Sequence, residues 1–122
     1  MKLFDKDGAW NWVDKNNIVL GFRNRSDCCE RFGYRYELTE PTGMDVFDTP
    51  DNYNPDIEDF SFDPRWFKEF GDSDGGGNAV FRLVAADGSV IYLLIYNHHN
   101  GYYSHGFELK DQYGCEIQEG SL

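Results

Sequence analysis

The sequence predicts a β-rich α+β fold: an antiparallel sheet carrying one short helix near residues 64–70. Three observations lead there. Aromatic and β-branched residues recur at every second position over several short runs, the period of a half-buried strand. Asp-Gly and Asn-Gly pairs stand between those runs, where tight hairpin turns belong. All four prolines (Pro41, Pro50, Pro55 and Pro64) fall in one acidic middle segment, where they oppose strand ladders and favour turns. At 122 residues a single domain, 1–122, is expected, with an acidic Pro/Asp-rich loop segment over 40–78.

In chain order, AWNWV and NIVLGF read as a hairpin joined by DKNN. RFGYRYEL follows, with Phe32, Tyr34, Tyr36 and Leu38 alternating against Gly33, Arg35 and Glu37. In DPRWFKEFG, Asp63 can cap free N–H groups, Pro64 suits the first helical position and Gly71 the left-handed exit. Trp66, Phe67 and Phe70 would give that helix an apolar side. AVFRLVA, VIYLLIYN and YYSHGFELK then read as a three-stranded meander, with Asp87-Gly88 and Asn100-Gly101 as two-residue turns. Those turns set Phe81 opposite Leu94, Leu83 opposite Tyr92, Tyr96 opposite His105 and Leu94 opposite Phe107. One apolar face would then carry Phe81, Leu83, Tyr92, Leu94, His105 and Phe107.

Composition bounds the function. The net charge is −11, from 22 acidic and 11 basic residues. That disfavours nucleic acid, whose binding needs cations to displace counterions, and disfavours anionic membranes. No apolar run approaches the roughly 20 residues of a membrane helix, and Asp5 and Asp7 interrupt any secretory core near the start. The three cysteines, Cys28, Cys29 and Cys115, are an odd set with two adjacent, so they do not make a disulfide framework; reduced thiols in a cytoplasmic protein are expected.

Charge is unevenly placed. Residues 40–74 hold eleven carboxylates against Arg65 and Lys68, a net −9 out of −11. Aromatics are interleaved with them. Carboxylates that steer and aromatics that anchor suit a basic protein partner, and Asp45, Asp48, Asp51, Asp56, Glu58, Asp59, Phe60, Phe62 and Trp66 are the candidate contact residues. Acid-rich loops are as often simply solvated faces.

A second candidate is chemical. His98, His99 and His105 are all the histidines and lie in YNHHNGYYSHG, while Cys28 and Cys29 are potential nucleophiles or ligands. In the meander register His98 and His105 share a face and His99 takes the other, so a three-histidine metal centre is not expected. No ligand spacing of the CxxC or HxxxH kind, no EF-hand loop and no phosphate loop is present, so no metal and no cofactor is expected. A small metal- or Cys/His-dependent hydrolase using Cys28, Cys29, His98 and His105 remains the enzymatic alternative.

DCCE (Asp27, Cys28, Cys29, Glu30) and NGYYS (Asn100, Gly101, Tyr102, Tyr103, Ser104) resemble the motifs of a family of small phage and bacterial domains of unknown function. The resemblance spans roughly residues 18–109. It implies a paired structural or binding centre at the two motifs and transfers no mechanism. The HH before NGYYS and the acidic segment depart from the family pattern. Size and charge also resemble those of bacterial immunity proteins and phage inhibitors of host defence. The expected function is therefore a non-enzymatic inhibitor of a basic, nucleic-acid-binding protein, with a toxin immunity protein as an alternative.

Overall fold

A computed structural model of the chain describes residues 1–25, 31–41, 53–71, 76–98 and 104–122. The described residues form strands β1 (Lys2–Lys6), β2 (Ala9–Val13), β3 (Val19–Arg23), β4 (Arg31–Glu37), β5 (Phe60–Gly71), β6 (Gly76–Ala85), β7 (Val90–His98), β8 (Gly106–Lys110) and β9 (Glu116–Ser121). They build two antiparallel sheets, one of five strands in the order β1-β2-β3-β8-β9 and one of four in the order β4-β7-β6-β5. The fold is essentially all-β, and no helix forms among the described residues.

The two sheets pack face to face. Trp12, Leu20, Phe22, Phe107 and Leu109 of the first meet Phe62, Phe81, Leu83, Leu93 and Ile95 of the second in one core. Each such side chain removed from water contributes about 1.5–3 kcal/mol. An aromatic layer closes one end: the Trp10 and Trp12 rings both meet Tyr34 edge-on at 5.1 Å, and Trp10 lies 5.7 Å from Phe32. Phe107 reaches across to Phe67 and Phe81, at 6.0 Å each. Two polar links also tie the sheets. Trp12 Nε1 donates to the Tyr36 hydroxyl at 3.1 Å, and Asp14 Oδ2 accepts from Phe62 N at 3.0 Å.

Turn chemistry explains four of the eight connections, and the other four run through residues outside the described ones. Asp7 and Gly8 both have positive φ, 57° and 74°, and join Lys6 to Ala9 as a two-residue hairpin. A longer turn is used three times, at Asp14–Ile18, Ala85–Ser89 and Asp111–Cys115. In each, the first residue's carbonyl accepts from the residue three on, and that residue (Asn17, Gly88 or Gly114) has positive φ. This is a type I turn followed by a left-handed bulge residue, a common three-residue hairpin loop.

The expected helix is replaced by β5. Pro64 has no N–H to give a ladder, yet the strand continues, because Asp63, Pro64, Arg65 and Trp66 bulge out opposite Arg82 alone. Asp63 keeps a capping role of another kind: its Oδ1 accepts from Arg65 N at 3.0 Å, while Oδ2 takes Arg82 Nε at 3.0 Å and Nη2 at 2.5 Å. Beyond the bulge Phe67 turns into the core, and Trp66 and Phe70 pack on Val80 and Leu94 across the outer face. Trp66 and Phe70 thus belong to the outer face of the second sheet, and Phe67 to its inner one, where the helix would have held all three on one side.

The meander is also corrected. Gly88 alone is left-handed, at φ 90°, so the turn holds Ala86, Asp87 and Gly88 rather than two residues. Phe81 therefore faces Leu93 and Leu83 faces Ile91, one residue away from the expected register. A one-residue slip exchanges the two faces of a strand. Ile91, Leu93 and Ile95 consequently join the core, and Tyr92, Leu94 and Tyr96 turn outward. The third strand is not in this sheet at all. β8 pairs with β3 and β9, so Phe107 lies opposite Phe22 and not opposite Leu94.

Candidate functional site

The turn before β5 presents the acidic candidates that the structure describes. Asp56, Glu58 and Asp59 are exposed. Asp56 Oδ1 accepts from Glu58 N at 3.0 Å, which shapes the turn. The Met1 amino group donates to the carbonyls of Ile57 and Glu58 at 2.8 and 2.5 Å, fastening the turn to the sandwich. The three carboxylates thus stand on an anchored turn. Asp45, Asp48 and Asp51 lie outside the described residues.

The aromatic candidates are not brought together. Phe62 is a core residue, 4% exposed, and edge-on to Phe81 at 6.3 Å, so no partner can reach its ring on the folded chain. Phe60 is half-buried against the same core. Trp66 is half-buried on the outer face of the second sheet, 5.2 Å from the Tyr92 ring, with Lys68 and Arg82 at 5.6 and 5.8 Å from its centroid. Nearby, Lys68 pairs with Glu40. The Arg82 hydrogen bond holds the Asp63 carboxyl below the usual range, more than partial burial raises it. Phe60 and Trp66 thus each keep part of their surface, and Trp66 keeps its own beside the cations Lys68 and Arg82.

The histidines separate. His98 is exposed at the end of β7, in register with Arg31 and Gly76. His105 is 4% exposed, and its ring stacks on Phe32 at 4.2 Å. Its Nδ1 lies 2.7 Å from the Arg23 carbonyl oxygen, a contact that only an N–H can make favourably. Its backbone N–H and C=O exchange hydrogen bonds with Leu122. It is a hydrogen-bonded core residue, but beside Phe32 and Phe22 instead of Tyr96. Among the described residues no three His, Cys, Asp or Glu side chains are grouped to hold a metal. Ser104 is exposed just before β8. Asp27, Cys28, Cys29, Glu30, His99, Asn100, Gly101, Tyr102 and Tyr103 lie outside the described residues, so the approach of DCCE to NGYYS falls there too.

Sequence reasoning passed over the outer face of the first sheet. It carries a depression of about 520 Å³ with Ala9, Gly21 and Gly106 in its floor and Phe4, Asn11, Arg23 and Glu108 around them. The outward rows follow from the register: Phe4, Asn11, Gly21, Glu108 and Glu119 lie side by side across the five strands. At the β9 side, the Glu119 hydrogen bond and charge push the Glu116 carboxyl above its ordinary value, with Glu108 adding to the repulsion. The signal was present as AWNWV and VLGFR, whose Asn11 and Gly21 break the apolar runs at outward positions. No family model, curated protein or solved structure matches the chain.

Proposed function

We propose that the protein is a non-enzymatic binding protein that presents its acidic segment to a basic surface of a protein partner. The carrying observation is the anchored turn with Asp56, Glu58 and Asp59 exposed, inside the segment that holds −9 of the −11 net charge. Fixed carboxylates of one sign raise the encounter rate with a basic groove and set its register. Trp66, flanked by Tyr92 and Arg82, supplies the aromatic and arginine composition that dominates binding energy in interfaces. An inhibitor of a nucleic-acid-binding protein fits this chemistry, because its carboxylates would occupy sites meant for phosphate. The engagement of His105 with Arg23 and Leu122 inside the core favours this reading over histidine-based hydrolysis.

The test is affinity capture from the native host with the full chain as bait, beside an Asp56→Asn, Glu58→Gln, Asp59→Asn variant. A basic protein should be captured by the parent chain and lost from the variant. Capture should also weaken as salt rises from about 0.1 M to about 1 M, where the screening length falls from roughly 10 to 3 Å. A partner held equally by both chains at high salt would sink the proposal.

A further inference from the structure

Glycine inside a strand weakens it, since it loses the most backbone freedom on folding and packs no side chain. Such a residue calls for a reason. Gly120 has one: a Cβ there would stand 2.7 Å from Phe107 Cζ, inside the core. Gly21 has none within the fold. It lies on β3, the central strand of the five, its φ is outside the left-handed region, and a Cβ would meet only Asn11 Oδ1 at 3.6 Å. Gly106 is as open, with its nearest neighbours at 3.9 and 4.0 Å. The chain accepts these glycines where the sheet could carry side chains, and the result is a bare floor in the 520 Å³ depression. That volume is in the range of small-molecule sites.

The lining states what the floor would receive. β3 is hydrogen-bonded on both sides, to β2 and β8, so its backbone has no ladder to offer an incoming strand. Recognition therefore falls to side chains: Asn11, Arg23 and Glu108, with Phe4 exposed at the rim. Charges balance there, Lys6 and Arg23 against Asp7 and Glu108, on a chain that is otherwise strongly acidic. A charge-balanced lining with planar donors and acceptors on either side of a bare strand, plus one exposed ring, matches a neutral polyhydroxylated ring. Its hydroxyls would exchange hydrogen bonds with Asn11, Arg23 and Glu108, and its C–H face would lie on Phe4. We infer that the outer face of the first sheet is a saccharide-binding site, with Gly21 and Gly106 as the floor that lets a sugar ring approach the backbone.

The experiment is isothermal titration of the full chain with four neutral hexasaccharides, of cellulose, amylose, xylan and chitin type. At least one should bind. Gly21→Val should weaken that binding roughly tenfold or more, by filling the floor, while the melting temperature holds or rises, because valine suits a strand. Phe4→Ala and Glu108→Ala should weaken it as well. An oligolysine peptide, the probe for the acidic turn, should bind Gly21→Val and the parent chain alike, so this site and the proposed partner surface fail independently. Absence of binding by all four sugars at about 10 mM, roughly tenfold above a dissociation constant of about 1 mM, would overturn the inference. So would full affinity in Gly21→Val, or a lower melting temperature for it, which would give Gly21 a structural role.

Discussion

Asp14 shows how much one residue's surroundings decide. Asp14 and Asp111 open the same turn, and each Oδ1 accepts two backbone N–H groups at 2.9 Å. Asp14 is 4% exposed, and its second oxygen also satisfies the buried N–H of Phe62 in the opposite sheet. A buried donor left without an acceptor costs about 1–3 kcal/mol, whereas a solvated turn N–H finds water. Asp14→Ala should therefore lower the urea-unfolding free energy by about 2 kcal/mol or more, and Asp111→Ala by well under about 1 kcal/mol. Equal losses would show that the Phe62 contact contributes little. The glycines make a similar contrast. Gly120→Ala drives a methyl group into a Phe107 ring held by Phe67 and Phe81, and should cost about 1–3 kcal/mol on the same measurement. Both residues are legible in the sequence only as a turn former and a strand breaker. The weight of each comes from a residue far along the chain.

At the scale of elements, β4 was readable and β5 was not. Phe32, Tyr34 and Tyr36 alternate in sequence and do face the first sheet, ending where Leu38 becomes 64% exposed. DPRWFKEFG carried every local sign of a helix. A ladder with β6 and burial of Phe67 against Phe81 outweigh those signs, since most helical stability comes from packing an apolar face. The β8–β9 hairpin carries a conflict of its own. Glu108 and Glu119 stand directly opposite one another, and Glu119 pushes the Glu116 carboxyl upward. A group whose folded pKa is raised contributes its full stability below its unfolded value and loses it as the pH climbs through the folded one. Glu119→Gln should thus raise the melting temperature at pH 7, and the gain should shrink below about pH 4.5. A gain independent of pH would remove like-charge repulsion as the cause.

The whole molecule depends on links between its sheets. Trp12 and Tyr36 form one of the two buried polar links described above, and burial pushes the Tyr36 phenol above its usual value of 10.0, more than the Trp12 hydrogen bond lowers it. The sandwich should therefore keep this contribution up to about pH 10 and lose it at higher pH, as the unfolded phenol ionises first. Tyr36→Phe should cost about 0.5–1.5 kcal/mol at pH 7 and flatten the alkaline limb of a melting-temperature profile. An unchanged alkaline limb would place the loss elsewhere. By itself the sequence marked β2, β3, β4, β6, β7 and β8 as strands and antiparallel pairing as their arrangement, because alternation and turn residues act over a few neighbouring positions; it left β1 and β9 unmarked and read β5 as a helix. It also determined where the charge lies. Tertiary structure alone decided the rest. The left-handed residue in the Ala86–Gly88 turn shifts the register by one and exchanges the faces of β7. Pairing with β3 takes β8 into the other sheet, because Phe107 there buries against Phe67 and Phe81 while its ladder closes with Phe22. The open floor at Gly21 exists only once five strands lie side by side, since a missing side chain becomes a site only when its neighbours surround it.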